Sequence, residues 1–401
     1  MVIFMEFLNL KRCLNRIIDV YKTPGVDCLV YKNHEVIFRY TQGFNDVAEN
    51  KKLSGDELFI IFSMTKLITC TAALQLLEQG KYKLSDRLSD YMPEFSKMKI
   101  AKGIHNASNA ANITTGKTSG ESLNVDGDDY AQNPITIKDL FTMSGGLNYD
   151  LNDLPIRQAK EQGKKSTRDL VGAMSGKVLA FEPGTRFGYS LCHDVLGALV
   201  EIWSGKKFGE YLKENIFTPL GMNNTFFGLP KDEYRLNKMA ALYTRDADGN
   251  PKKTSLSCPY NLSDEYESGG AGLISCTEDY AVFLDALACG GVSKTGHRIL
   301  KSETIDLMKT NQLSGMQSED FFKLRKGYGY GLGVRTHIDK EASGSISPIG
   351  EFGWDGAAGA FSMVDSENKI SLTYFQHILG WDVAIQNEIK NALYNDISIS
   401  G

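Results

Sequence analysis

The sequence predicts an α/β (α+β) protein. We expect an antiparallel sheet flanked by helices and built from both chain ends, with an inserted, mostly helical region. Strand-like segments rich in β-branched and aromatic residues occur at residues 26–40 and again at residues 328–376. Between these regions, most ordered stretches carry apolar residues at helical spacing. We therefore expect a sheet domain of residues 1–84 and 290–401, a helical domain of residues 85–289, and a cleft between them.

The first predicted elements are a helix and a hairpin. An amphipathic N-terminal helix is indicated by apolar residues at helical spacing, namely Leu10, Leu14, Ile17, Ile18 and Tyr21. Two strand-like runs, at residues 26–31 and 35–40, are joined by the segment Lys32-Asn33-His34, which is typical of a hairpin. We expect His34 to be a solvated loop residue rather than a ligand.

The composition excludes several classes of protein. With 401 residues, of which 42% are hydrophobic and 23% charged, the chain can bury a large core. A net charge of −5 argues against a nucleic-acid or anionic-membrane partner. The seven cysteines include no C-x-x-C pair, which favours free thiols in a reducing compartment. No stretch approaches the ~20 apolar residues of a membrane span, and the N-terminus does not have the pattern of a signal peptide. We predict a cytoplasmic protein whose oligomeric state is left open.

A polar stretch at residues 103–132 is predicted to form a surface loop, because it has few large apolar side chains. Within it, Gly116-Lys117-Thr118 resembles the end of a phosphate-binding loop. The glycine that such a loop requires earlier is replaced by Ala111, and no apolar strand precedes the segment. We therefore expect no nucleotide and no other cofactor.

The candidate nucleophile is Ser63, in Ser63-Met64-Thr65-Lys66. It follows an apolar run at residues 58–62 and opens a helical pattern that continues to Gly80. At a helix N-terminus, unpaired backbone N–H groups and the helix dipole favour an anion. Lys66 lies on the same face about one turn later, where it can act as a base. The alternative is a simple helix cap, because the S-x-x-K pattern is short. It also begins at Ser96, Ser204 and Ser366.

Other catalytic arrangements lack their sequence signatures. The G-x-S-x-G motif of α/β-hydrolases does not occur, and neither H-E-x-x-H nor paired Cys/His spacings are present, so we expect no metal site. A Ser-Lys-Tyr arrangement fits better, with Tyr189 on a loop just before a helix. Burial lowers the pKa of a lysine and a nearby cation lowers that of a tyrosine, so the two side chains could share a proton. Alternatively, Tyr189 is a packing aromatic residue at a helix entrance.

Three motifs in order resemble those of the serine β-lactamase-like superfamily. They are Ser63-Met64-Thr65-Lys66, Tyr189-Ser190-Leu191 before a helix, and Trp354-Asp355-Gly356 before a strand. The resemblance is strongest to the family VIII carboxylesterases, which are similar to class C β-lactamases. Supporting stretches span nearly the whole chain, at residues 135–147, 219–222 and 269–273. The resemblance implies a β-lactamase/transpeptidase-like fold with the active site in the cleft between the two regions.

The resemblance also implies roles for individual residues. Ser63 attacks the substrate, and Lys66 and Tyr189 shuttle its proton. The backbone N–H groups of Ser63 and Ala357 form the oxyanion hole. Gly356 belongs to the small residues that let the substrate come close to the backbone.

Two departures from the class C pattern bear on the substrate. Leu191 stands in place of a polar asparagine, and Trp354 stands in place of a lysine that meets a carboxylate. Both changes make the cleft more apolar, which favours a neutral ester over an anionic β-lactam or a peptide C-terminus. Tyr149 is assigned to the same substrate-binding group.

A literal K-T-G at residues 294–296 lies between two predicted helices, and we expect it to be a turn.

The resulting hypothesis is a serine hydrolase that works through an acyl-enzyme, most simply a carboxylesterase on small esters with a short acyl chain. Its partner would be a small-molecule ester or amide substrate. The alternatives are a β-lactamase, a D-amino-acid peptidase or an acyltransferase of the same superfamily. A catalytically silent relative that binds a ligand or partner is also left open.

Overall fold

The computed structural model describes residues 6–101, 129–380 and 382–399, so the predicted surface loop of residues 103–132 lies outside the described residues except for 129–132. The strands are β1 (Gly25–Lys32), β2 (Glu35–Asp46), β3 (Lys51–Lys52), β4 (Phe59–Ile60), β5 (Lys99–Ile100), β6 (Val178–Leu179), β7 (Phe226–Phe227), β8 (Tyr243–Arg245), β9 (Pro251–Lys253), β10 (Leu273–Ser275), β11 (Tyr328–Tyr330), β12 (Arg335–His337), β13 (Phe352–Gly353), β14 (Phe361–Asp365) and β15 (Ile370–Phe375).

The main sheet has eight strands in the order β11-β12-β13-β14-β15-β1-β2-β3. Strand β1, from the front of the chain, pairs antiparallel with β15, from its end, so that Cys28 lies opposite Tyr374. The predicted antiparallel sheet built from both chain ends is therefore confirmed. A three-stranded sheet, β4-β10-β7, holds the segment that leads into Ser63.

Helices cover both faces of the main sheet. The helices of the described residues, on and away from this sheet, are Leu8–Val20, Thr65–Glu78, Ile137–Phe141, Leu154–Glu161, Thr167–Ala173, Cys192–Ser204, Phe208–Leu212, Thr218–Leu220, Glu233–Lys238, Thr277–Ala288, Ser302–Lys309, Gly315–Leu324, Lys340–Ser343 and Val383–Ile399. Short 3₁₀ turns lie at Phe62–Met64, Leu88–Asp90, Pro93–Ser96 and Met174–Gly176, and a π-helical turn lies at Lys213–Phe217.

Strand β1 shows how the two faces are used. Successive side chains of a strand point to opposite faces. Val26 and Cys28 pack with the N-terminal and C-terminal helices, whereas the Asp27 carboxylate accepts a hydrogen bond from Thr277, on the helix of the other face. The predicted amphipathic N-terminal helix is present, and it buries Leu10 against the sheet.

The β1–β2 hairpin is present as predicted, and His34 lies in its turn, but the side chain is half-buried rather than fully solvated. The His34 backbone N–H donates to Asp285 Oδ1 at 3.0 Å, and its ring Nδ1 lies 2.7 Å from Asp285 Oδ2. The turn is therefore fastened to helix Thr277–Ala288. Sequence spacing gives no sign of this contact, because the two residues are 251 positions apart.

The division into a sheet domain of residues 1–84 and 290–401 and a helical domain of residues 85–289 remains a prediction. Helix Thr277–Ala288, assigned to the second of these, packs against β1, β14 and β15. Within the described parts of the chain, no helix combines the length and the apolar character that crossing a membrane requires.

The helix Thr65–Glu78, called the serine helix below, lies in the interior. Its first twelve residues, Thr65 to Leu76, are buried, so it lacks the polar face of a surface helix. It packs against helix Cys192–Ser204. Ser63 and Tyr189 both immediately precede these two helices, so the helix pair brings the two hydroxyl groups into one region.

Candidate active site

Ser63 lies in the short 3₁₀ turn Phe62–Met64 that precedes the serine helix, and it is half-buried. Phe62 has a φ of 45°, in the left-handed region that costs a non-glycine residue about 1–3 kcal/mol. Its side chain is 2% exposed and packs edge-on against Tyr260, which helps to hold this backbone. A Cβ at Gly356 would lie 2.6 Å from the Ile61 carbonyl oxygen, so the turn before β14 approaches the serine segment as only glycine permits.

The Lys66 amine is fully buried and makes three hydrogen bonds. Its Nζ donates to Ser63 Oγ at 3.2 Å, to Tyr149 Oη at 3.0 Å and to the Gly270 carbonyl oxygen at 2.7 Å. All three acceptors are neutral. Burial lowers the pKa of Lys66 to about 7, against the opposing effect of the Asp194 carboxylate. A large fraction of the amine is therefore unprotonated near neutral pH and can accept a proton.

Tyr189 shows the opposite behaviour. Burial raises the pKa of the Tyr189 phenol, and hydrogen bonds with Ser63 and Trp354 only partly offset this. The sequence argument allowed a nearby cation to lower this pKa, but desolvation dominates. Tyr189 is thus a neutral hydroxyl at pH 7, while Lys66 is the group suited to take the serine proton.

Three aromatic rings form a stack beside Ser63. The Tyr149 and Tyr189 rings are 5.5 Å apart and nearly parallel, at 17°, and the Tyr189 and Trp354 rings are 5.7 Å apart at 24°. Trp354 Nε1 donates to Tyr189 Oη at 3.2 Å, which fixes the position of the phenol. Lys66 Nζ lies 4.6 Å from the centroid of the Tyr189 ring. The stack therefore orients both hydroxyl groups near the amine.

The third motif forms a tight turn between Trp354 and β14. The Gly356 N–H donates to the Ala360 carbonyl at 2.8 Å, and the Ala357 carbonyl accepts from the Gly380 N–H at 3.1 Å. The Ala357 N–H has no hydrogen-bond acceptor among the residues that the structure describes. This geometry is compatible with Ala357 as an oxyanion donor, which remains a prediction.

Two further sequence predictions can be compared with this geometry. Leu191 is 1% exposed and packs in the main core, so this geometry gives no support to its assignment as a substrate contact. Its place at the start of helix Cys192–Ser204 turns the side chain into the protein. The segment at residues 294–296 is an exposed turn, as predicted, with the Ser293 N–H bonded to the His297 carbonyl at 2.8 Å.

Sequence reasoning missed two residues that contact the site. The Gly270 carbonyl accepts from Lys66, and the buried Asp194 carboxylate lies on the far side of the same glycine. The G-G-A-G segment around Gly270 entered the sequence argument only as a stretch that supports the family resemblance, with no role in the site. Asp194 resembled an ordinary acidic residue in the first turn of a helix.

A possible set of metal ligands occurs outside this site. Within the described chain, His34, Asp285 and Cys289 place one donor atom each within 4.8 Å of one another. The Asp285 carboxylate already accepts from both the backbone and the ring of His34. The three residues are therefore close together because the β1–β2 turn is hydrogen-bonded to helix Thr277–Ala288.

Comparisons with known proteins show the family and the fold. The sequence matches the Beta-lactamase family over residues 10–394. Esterase EstB of Burkholderia gladioli is 25% identical over 370 residues, covering 87% of this chain and 84% of the esterase. The structure of EstCE1, a hydrolase with promiscuous acyltransferase activity, superposes with a TM-score of 0.76 at 22% identity, covering 96% of this chain and 98% of EstCE1. A family VIII carboxylesterase superposes with a TM-score of 0.73 at 18% identity, covering 97% of each chain. The resemblance and the fold class expected from the sequence are confirmed.

Proposed function

This chain belongs to the Beta-lactamase family, and from that premise we propose that it is a serine hydrolase with carboxylesterase activity on small esters. The observation that carries the proposal is the contact between Lys66 and Ser63. A buried amine with a pKa of about 7 lies 3.2 Å from a half-buried serine hydroxyl. That pairing activates a serine without a histidine.

The proposed reaction has two halves. Ser63 Oγ attacks the ester carbonyl while its proton passes to Lys66, and the oxyanion is held by the backbone N–H groups of Ser63 and Ala357. The carbon–oxygen bond to the alcohol breaks, and the alkoxide takes a proton from Tyr189, which Lys66 replenishes. Water then attacks the acyl carbonyl. Its proton returns to Ser63 Oγ through Tyr189 and Lys66, and the acid is released.

The surroundings of Ser63 support an ester rather than an anionic substrate. Trp354 occupies the position where class C β-lactamases place a lysine, and its indole N–H is engaged with Tyr189. The neighbouring Tyr149, Tyr189 and Tyr260 rings present aromatic surface. We infer a neutral ester with a short acyl chain.

A second candidate activity is acyl transfer to an alcohol. The structural relative EstCE1 is a hydrolase with promiscuous acyltransferase activity. An aromatic cleft can admit an alcohol in place of water, so the same acyl-enzyme could be partitioned between the two acceptors.

The test is an activity panel on wild-type protein and two serine variants. With p-nitrophenyl butyrate, we expect an initial burst followed by steady turnover, both abolished in Ser63→Ala. Ser96→Ala is the matched control, because Ser96 begins another S-x-x-K pattern but lies on an exposed turn. It should keep full activity, and a fluorophosphonate probe should label wild type and Ser96→Ala only.

The panel also separates the alternatives. Faster nitrocefin than ester turnover would identify a β-lactamase, and cleavage of D-alanyl peptides a peptidase. Stimulation by an added alcohol would identify an acyltransferase. Ester turnover that survives in Ser63→Ala, or no labelling and no turnover in the wild type, would refute the proposal.

A further inference from the structure

Asp194 is a buried carboxylate that the proposed reaction has not yet used. It lies in the first turn of helix Cys192–Ser204 and is 1% exposed. Its Oδ1 accepts from Tyr266 Oη at 2.8 Å and from Ser268 Oγ at 2.6 Å. Its Oδ2 lies beside Gly270, whose backbone N–H lowers the pKa of the carboxylate. A carboxylate buried to this extent is costly unless a group of opposite charge lies nearby, so its position calls for a reason.

Gly270 connects this carboxylate to the candidate base. A Cβ built on Gly270 would lie 2.4 Å from Asp194 Oδ2 and 3.2 Å from Tyr149 Oη. The Gly270 carbonyl accepts the hydrogen bond from Lys66 Nζ at 2.7 Å. The carboxylate, the phenol and the amine thus meet around one residue that has no side chain. Any larger residue would separate them.

We propose, resting on the serine-hydrolase function above, that Asp194 is a positioning residue whose carboxylate stabilises the ammonium form of Lys66 during proton transfer from Ser63. The Ser63 O–H bond breaks and a Lys66 N–H bond forms, so a positive charge develops on a fully buried amine. Such a charge is expensive without a partner of opposite sign. When the leaving alkoxide is protonated, the charge on Lys66 disappears again and Asp194 remains a carboxylate.

The other titratable groups around Lys66 do not supply a negative charge at neutral pH. Burial raises the pKa values of the nearby thiols and phenols, which are Cys70, Cys192, Tyr149, Tyr189, Tyr260 and Tyr266. Burial also lowers the pKa of His193 to about 3, so that this ring is neutral. Asp194 is the group whose charge raises the pKa of Lys66 most. Burial raises the pKa of Asp194 itself, and the Ser268 hydroxyl, Lys66, Tyr266 and the Gly270 backbone N–H act against this.

The test is the pH dependence of ester hydrolysis in Asp194→Asn, which keeps the shape of the side chain and removes its charge. Without the carboxylate, the ammonium form of Lys66 is less stable, so its pKa falls. We expect the acidic limb of kcat/KM to move to lower pH by about one unit. The plateau value should fall on the order of tenfold, because the developing charge loses its partner.

Asp279→Asn is the matched control. Asp279 is also buried and hydrogen-bonded, to Thr225 and to the Asn224 N–H, but it lies on helix Thr277–Ala288. It should leave the acidic limb unchanged. If Asp194→Asn does not fold, Ser268→Ala provides the test, because it removes a hydrogen bond that keeps Asp194 ionised. The limb should then move in the same direction by a smaller amount.

The inference would be overturned if the acidic limb of the kcat/KM profile stayed at its wild-type pH in a folded Asp194→Asn or Ser268→Ala protein. This failure is distinct from failure of the proposed function. If Ser63→Ala is inactive and fluorophosphonate labels Ser63, the hydrolase proposal stands while the role of Asp194 is refuted. If turnover does not depend on Ser63, both are refuted.

Discussion

Lys66 and Lys390 are both buried lysines, and their surroundings differ in one decisive respect. Lys66 is surrounded by the neutral acceptors Ser63, Tyr149 and the Gly270 carbonyl. Lys390 contacts the Tyr328 hydroxyl and lies 3.4 Å from the Glu351 carboxylate. Burial lowers the pKa of both amines, to about 7 for Lys66 and to about 8 for Lys390. Burial alone therefore does not distinguish a catalytic lysine from a structural one.

The neighbours of Lys390 form a closed ionic network behind the third motif. Arg335 donates to Glu351 at 2.9 Å, and Arg325 is paired with Asp355, the residue after Trp354. All of these side chains are buried, and the network contains no half-exposed hydroxyl comparable with Ser63. The network stabilises the turn that carries Trp354. At the other site, the unprotonated Lys66 amine remains able to accept a proton. The following predictions test this distinction, beginning with the largest effect.

Replacing the two lysines by methionine should separate the two roles. Lys66→Met removes the proposed base and should lower kcat/KM for p-nitrophenyl butyrate by about 10²–10⁴-fold, the usual contribution of general-base catalysis. Lys390→Met should leave kcat/KM close to the wild-type value and lower the free energy of unfolding, because Glu351 loses one of its partners. Equal losses of activity in the two variants would remove the distinction.

Glu351→Gln should break the structural network. Lys390 would then lose its carboxylate, and Arg335 would keep only its longer ionic contact with Asp355, at 3.6 Å, so we expect the free energy of unfolding to fall by about 3–5 kcal/mol. Urea unfolding followed by circular dichroism measures this change. Glu265→Gln is the control, because Glu265 is exposed and should change stability little. A loss below about 1 kcal/mol in Glu351→Gln would show that the network is not needed for folding.

The pH profile of the wild-type enzyme should report Lys66. The amine must be unprotonated to accept the serine proton, and protons bind to it as the pH falls through its pKa of about 7. We therefore expect kcat/KM to rise with pH, reach half of its plateau near pH 7, and fall about tenfold for each further unit of acidity. A profile that is flat between about pH 5 and about pH 8 would contradict this assignment.

Trp354→Phe should have the smallest effect. It keeps an aromatic ring against Tyr189 but removes the hydrogen bond from Nε1 to the phenol. The loss of one such bond costs about 1 kcal/mol, which corresponds to about a fivefold decrease in kcat/KM. Steady-state kinetics at pH 8 measures the change, and an unchanged or increased kcat/KM would show that Tyr189 does not depend on this contact.

Much of the fold was predictable from local patterns. The N-terminal helix, the β1–β2 hairpin and the strands at the end of the chain follow from apolar spacing and turn residues. The serine helix was predicted from its helical pattern of apolar residues, but its burial was not predicted: residues Thr65 to Leu76 are all buried. The contact of His34 with Asp285 was not predictable in this way, because Asp285 comes from a distant part of the chain.

The sequence by itself determined which chemical groups are available and in what order they occur. The spacing of three residues brings Ser63 and Lys66 together, because residues three apart lie about one turn from each other in both 3₁₀- and α-helical turns. Only the tertiary structure decided that the Gly270 carbonyl and the Tyr149 hydroxyl meet Lys66, that Asp194 points inward and that Leu191 is buried. The reason is physical: hydrogen-bond partners and desolvation arise from packing between segments far apart in sequence. The pKa of a buried group depends on both.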